Sequence, residues 1–217
     1  FYTANAQPGH EHIHYGCHHA KNRVKPAPLT ESQILMLSQS NERSDTIDML
    51  NYAINLNITD FGNQIIHGFC EITLSPKMDG VTQMTLDLLN LNIDSITMNE
   101  NQLDHSYDGN FIHINFGQML DMEDTATVVV YYGGTPTTAA GGFGGLDFDN
   151  GIAYNLGIGL GENPYNFGRG WFPCFDNFVE WATYNLNITT SNGRVAYCNG
   201  TLLSTENMGN GVIERRF

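Results

Sequence analysis

The chain has 217 residues, with 9 Lys and Arg against 23 Asp and Glu, giving a formal net charge of −14. A chain of this length buries roughly 70% of its unfolded surface, so one domain with a tail needs no covalent staples to fold. So acidic a surface is a poor match for nucleic acid or anionic lipid, and no apolar run approaches the ~20 residues of a membrane-spanning helix.

Chain order begins with Phe1, and Ala4-Asn5-Ala6 before Gln7 has the small-x-small form of a secretory cleavage site. This reading makes the protein exported: secreted, periplasmic or held at a cell surface. Residues 1–44 are then a signal remnant, a His-rich leader and a short helix. Pro8, Gly9, Pro26 and Pro28 punctuate the leader, and no hydrophobic period runs through it. Thr30 and Gln33 stand at capping-box spacing before Ile34-Leu35-Met36-Leu37, which predicts a helix near 31–40. Asn41 to Asp45 reads as a polar link.

From residue 45 onward the period is two. Tyr52, Ile54, Leu56 and Ile58 alternate with polar neighbours, and Ile66, Cys70, Ile72 and Leu74 share a face after the Phe61-Gly62-Asn63 turn. Met84, Leu86 and Leu88 alternate next, and Ile93 to Met98 predicts a further strand. Asp108-Gly109-Asn110 marks a hairpin ahead of Ile112, Ile114 and Phe116. Thr125 to Tyr132 is a β-branched and aromatic run. Tyr184, Leu186 and Ile188 alternate again, Val195 to Leu203 is a candidate strand, and Asn210-Gly211 is a hairpin signal before the last strand. The expected fold is all-β, built of mostly antiparallel sandwich sheets with one short N-terminal helix.

Four cysteines, Cys17, Cys70, Cys174 and Cys198, allow three pairings, and each reads equally well as a small buried apolar residue. His10-Glu11-His12-Ile13-His14 matches H-E-x-x-H, but that chemistry requires a helix to set the two His one turn apart. Pro8, Gly9 and Gly16 surround the match and nothing amphipathic supports a helix, so the segment reads as a polar leader. An adventitious metal-binding tail with Cys17, His18 and His19 is the alternative. Asn57-Ile58-Thr59, Asn187-Ile188-Thr189 and Asn199-Gly200-Thr201 fit the N-glycosylation pattern, which matters only in a glycosylating host.

One stretch is long and irregular, from Gly133 to about Trp181, and rich in glycine. A connection of that length is usually functional. No helix start or Lys follows its glycines, which argues against a phosphate cradle. Within it lies Gly168-Arg169-Gly170-Trp171-Phe172-Pro173-Cys174-Phe175-Asp176, followed by Ala182-Thr183-Tyr184-Asn185-Leu186-Asn187-Ile188. These residues resemble the R-x-W-F-P-C-x-D…A-T-(F/Y)-x-L-x-I stretch of the N-terminal domain of aminopeptidase-N-type (gluzincin) zinc metallopeptidases. Upstream, Tyr52 to Ile58, Ile66 to Thr73 and Leu86-Asp87-Leu88…Leu91 to Ile96 are similar to the same family's strands in the same order.

The resemblance implies a saddle-like β domain over residues 45–217, truncated at its C-terminal side, that packs against a separate catalytic domain of the same polypeptide. Zinc would belong to that other domain, with none held here. The fragment alone would be inactive, a non-catalytic wall of the substrate cleft that helps recognise the peptide N-terminus. In the family, an acid or amide upstream of the motif holds the α-amino group of a peptide substrate. Glu162 is the candidate here, although Asn155 to Asn163 lacks the family's Gln. Arg169 and Asp176 read as a structural ion pair or turn partners, and Trp171, Phe172 and Phe175 as packing residues around Pro173 and Cys174. The competing reading is a non-enzymatic protein-binding β module of the same fold, since fold does not dictate function.

Overall fold

A computed structural model describes residues 43–139, 144–159 and 165–217. The His-rich leader, Cys17, the helix expected near 31–40 and Glu162 lie outside the described residues. Residues 43–46 are helical, where a polar link was expected. The Thr46 hydroxyl donates to the Arg43 carbonyl at 3.0 Å and closes that turn.

Thirteen strands follow among the described residues: β1 (Ile47–Asn57), β2 (Ile66–Pro76), β3 (Val81–Asp87), β4 (Asn92–Met98), β5 (Asn101–Gln102), β6 (His105–Tyr107), β7 (Phe111–Leu120), β8 (Ala126–Gly134), β9 (Asp147–Asp149), β10 (Ile152–Tyr154), β11 (Thr183–Thr190), β12 (Ser204–Gly209) and β13 (Val212–Arg216). An eight-stranded sheet runs in the order β12-β13-β11-β1-β2-β8-β4-β5, beside a three-stranded sheet β3-β7-β6 and the β9–β10 ribbon. The all-β, largely antiparallel reading of the sequence holds. Its exception is β1, which pairs parallel with β11 from Asn51↔Thr183 to Asn57↔Thr189.

The period-two pattern sorts side chains to two faces. Tyr52, Ile54 and Leu56 of β1, Cys70 and Ile72 of β2, and Val128, Val130 and Tyr132 of β8 point inward. There they share one core with Met84 and Leu86 of β3 and Ile112 and Ile114 of β7. Each fully buried aliphatic side chain in that layer contributes about 1.5–3 kcal/mol relative to exposure. Asn51, Asn55 and Asn57 point the other way, away from the second sheet.

Both hairpin signals are used. Asn210 and Gly211 have φ of 51° and 75°, the left-handed pair that a tight β12–β13 turn demands. At the β6–β7 turn the Asp108 carboxylate accepts the amides of Asn110 and Phe111 at 2.8 and 2.7 Å. Those two bonds hold its carboxyl below the usual range.

The strand expected over Val195 to Leu203 does not form. β13 takes the free edge of β11 instead, and the Arg215 guanidinium donates to the Ala196 carbonyl at 3.0 Å, holding that segment across the sheet rather than in it. The partner of β13 is β12, which begins just after the segment that was expected to pair.

Candidate functional site

The segment from Gly168 to Asp176 crosses the open end of the core without a strand ladder of its own, so its backbone groups need other partners. Several come from flanking elements. The Asp87 and Cys174 amides each donate to the other's carbonyl, at 2.8 and 3.1 Å, the Leu89 amide to the Arg169 carbonyl at 2.7 Å, and the Thr137 amide to the Gly170 carbonyl at 3.0 Å. The buried Tyr52 hydroxyl accepts the Phe175 amide at 3.0 Å. Gly170 sits so close to the Phe167 ring and the Thr137 carbonyl that a Cβ would lie 2.7 Å from each, which excludes any side chain there.

Charges complete the frame. Arg169 and Asp176 form an ion pair at 2.6 Å, with side chains 15% and 5% exposed. The other Asp176 oxygen accepts the Gly168 amide at 3.0 Å, which closes the loop on itself. The Asp176 amide donates to Asp87 Oδ2 at 3.0 Å, and Asp87 is in turn held by Arg43 at 3.0 and 3.2 Å. Arg43 also donates to the Thr85 carbonyl at 3.1 Å and stacks its guanidinium near the Phe111 and Phe175 rings. Two Arg and two Asp thus fasten the segment to β3, to the turn before β1 and to itself.

Burial pushes the Asp176 carboxyl up, and the Arg169 guanidinium opposes it. Burial also pushes the Cys174 thiol well up, aided by the Asp176 and Asp87 charges, so it is an inert packing sulfur rather than a nucleophile. Cys70, Cys174 and Cys198 are all free thiols. The aromatic residues of the motif pack: Phe172 meets Tyr52 edge-on at 5.9 Å, and Trp171 lies 4.6 Å from Phe172.

Trp171 also forms one wall of a groove of about 600 Å³, whose other walls include Phe61, Leu146, Tyr154, Arg194 and Tyr197. Arg194 lies 3.9 Å over the Phe61 ring, and Arg215 lies 5.0 Å from the Tyr197 ring. The groove is rimmed by exposed apolar side chains, among them Ile152 and Tyr197, the latter 84% exposed. A rim of this kind marks a contact surface. Asn155 lines its margin. The Asn155 side chain accepts the Gly157 amide at 2.8 Å, and the Gly159 amide donates to the Tyr165 carbonyl at 3.1 Å.

Among the described residues no group of three or more His, Cys, Asp or Glu could hold a metal ion, and no helix is long and apolar enough to cross a membrane. Sequence reasoning paired Arg169 with Asp176 but missed Asp87 and Arg43. Asp87 carried a usable signal, a lone carboxylate between the core residues Leu86 and Leu88. The position of Arg43, outside the strand pattern, carried none.

Residues 48–217 match the family described as the peptidase M1 N-terminal domain. Similar solved structures include a two-domain M1 zinc metallopeptidase bound to L-arginine, at 20% identity and a TM-score of 0.70, covering 79% of this chain and 39% of that one. An M1 zinc metallopeptidase from Deinococcus radiodurans bound to a Tyr-Ser-Ala substrate gives 20% identity and a TM-score of 0.69 over the same shares. No curated protein matches. At these identities the likeness establishes the fold, and the chain spans about two fifths of the length of those structures.

Proposed function

We propose, from the premise that this chain belongs to the family of peptidase M1 N-terminal domains, that it serves as the non-catalytic β domain of an exported zinc aminopeptidase. The groove face seats against a zinc-bearing catalytic domain, and the segment around Glu162 lines the cleft where a peptide N-terminus is held. The observation that carries this reading is the apolar-rimmed groove walled by Trp171, which belongs to a motif held from within by buried ion pairs.

Glu162 suits the task by charge. A carboxylate in a cleft closed off from water attracts an α-ammonium far more strongly than it does in solvent, and a charge-assisted hydrogen bond fixes its direction. Zinc would supply the activated water from the other domain. The contribution of this chain is to bind and orient the substrate's free amine and to exclude water.

The test uses the full-length polypeptide. Glu162→Gln should raise KM for substrates with a free α-amine about tenfold, a loss of roughly 1.4 kcal/mol of binding, while acetylated peptides remain non-substrates. The 217-residue chain alone should not hydrolyse aminoacyl anilides. Chelator-sensitive hydrolysis by that chain would sink the proposal, as would a Glu162→Gln enzyme with unchanged KM. Export is checked by locating the full-length protein in cell fractions, with the N-terminus of the exported form starting near Gln7.

A further inference from the structure

In a chain of net charge −14, cations are scarce and most are answered by an acid. Arg43, Lys77, Arg169 and Arg216 each pair with a carboxylate. The other described cations, Arg194 and Arg215, meet no carboxylate among the described residues, and each keeps a buried Nε with no hydrogen-bond partner. Both belong to the groove walled by Trp171. Arg194 lines it directly, and Arg215 stands opposite Ile188, another lining residue, in the β11–β13 register. Among the described residues no Asp or Glu lines the groove. Asp147 and Asp149 stand opposite Tyr154 and Ile152 in the neighbouring ribbon, and neither pairs with Arg194 or Arg215.

Arg194 is held in place by its backbone and by a ring. It leaves β11 through a turn in which Asn192 and Gly193 take φ of 57° and 76°. Its amide donates to the Ser191 carbonyl at 3.1 Å, and its carbonyl accepts the Thr190 hydroxyl at 2.8 Å. Its guanidinium lies 3.9 Å over the Phe61 ring, which Phe148 braces edge-on at 5.1 Å. The ring attracts the charge but leaves its N–H fork unanswered, and a carboxylate matches that fork with two parallel bonds.

The surroundings specify what carries the carboxylate. A guanidinium half-buried among apolar walls is screened less than one in water, so an opposite charge is drawn to it more strongly. Ile152 and Tyr197 flank the groove, 62% and 84% exposed. Apolar surface around one positive charge fits a folded partner surface, where an acid is ringed by side chains that exclude water from the pair.

We propose that Arg194 is the receiving half of an interdomain ion pair. An Asp or Glu of the catalytic domain enters the groove and binds the guanidinium, its apolar neighbours cover Ile152, Tyr197 and Trp171, and Arg215 adds to the positive potential. This inference rests on the seating of the groove face described under the proposed function and supplies the chemistry of that contact.

The test is carbodiimide cross-linking of the full-length polypeptide carrying Arg194→Lys, mapped by mass spectrometry. The amine so placed should couple to one Asp or Glu on the C-terminal side of Phe217. Replacing that acid by Ala, or Arg194→Ala, should each speed protease cleavage between the domains about three- to fivefold, the range for a partly exposed ion pair. The double variant should be cleaved no faster than either single one. Urea melts of the 217-residue chain verify that Arg194→Lys and Arg194→Ala fold. A cross-link confined to residues 1–217, one joining two copies, or none at all overturns the proposal, as does additive acceleration in the double variant. Any of these in an enzyme that hydrolyses aminoacyl anilides and responds to Glu162→Gln as stated removes the ion pair alone and leaves the peptidase reading standing.

Discussion

Two irregular segments border the same groove, and they are held by opposite means. Residues 168–176 are wired from within by the Arg169–Asp176 and Arg43–Asp87 pairs and by backbone bonds to β3 and to Thr137. Residues 194–203 are tied at few points: the Thr190 hydroxyl donates to the Arg194 carbonyl, Arg215 to the Ala196 carbonyl, and the Leu203 amide to the Arg216 carbonyl. The first segment buries Phe172 and Phe175, while the second turns Tyr197, Leu202 and Leu203 toward solvent. A chain can thus fix a segment that lacks a strand ladder with buried charge, or leave it to be completed by contact with another surface. The two solutions respond differently to mutation.

The largest effect is expected at Asp87. Removing it in Asp87→Ala strands a mostly buried guanidinium and the Asp176 amide, a loss of about 3–5 kcal/mol, read as a fall in the urea midpoint with unchanged slope. Asp176→Asn keeps the shape but breaks charge pairing with Arg169, and should cost somewhat less. Glu180→Gln acts on a pair whose lysine is exposed, Lys77 Nζ to Glu180 Oε1 at 2.8 Å with side chains 38% and 7% exposed, while the Met49 amide donates to Glu180 Oε2 at 3.4 Å. Solvent screening limits its effect to about 1 kcal/mol. In the loosely tied segment, Tyr197→Ala and Leu203→Ala should change the stability of the isolated chain by no more than about 0.5 kcal/mol, and Tyr197→Ala, on the groove wall, should weaken domain pairing in the full-length protein. If either costs as much as Asp87→Ala in the isolated chain, the contrast between the segments fails.

Acidity gives the smallest and sharpest contrast, because two aspartates should respond with opposite sign. Burial raises the Asp176 carboxyl. The stability it contributes is therefore fully present below its unfolded value near 3.9 and is lost as pH rises through the raised folded value. Asp108 is depressed by its backbone bonds. Its contribution is present above the unfolded value and is lost as pH falls through the lowered one. Subtracting the urea midpoints of Asp176→Asn and Asp108→Asn from those of the parent, across acidic pH, should give slopes of opposite sign. Slopes of the same sign would refute the assignment of burial as the dominant influence on Asp176.

The strands were legible because burial on one face imposes a period of two, and Tyr52, Ile54 and Leu56 keep it without interruption. The hairpins were legible because Asn210-Gly211 and Asp108-Gly109-Asn110 are local chemistry. Partner choice was not. Nothing in β11 distinguishes a parallel neighbour from an antiparallel one, and Val195 to Leu203 has strand-like composition but loses the β11 edge to β13. The charge frame was half legible: Arg169 and Asp176 sit within one motif, whereas Arg43 meets Asp87 only after folding brings them together. Glu162 was singled out by family resemblance and lies outside the described residues.

The parallel seam between β1 and β11 has a temporal consequence. Asn51 and Thr183, hydrogen-bonded across it, are 132 residues apart, so a ribosome must deliver nearly the whole domain before the central strand acquires its second neighbour. Until then β1 is a bare edge carrying Tyr52, whose hydroxyl still lacks the Phe175 amide, and bare edges recruit other chains. Late closure of so distant a contact makes synthesis the hazardous period for this protein, with chaperone demand concentrated in the interval before Thr190 emerges.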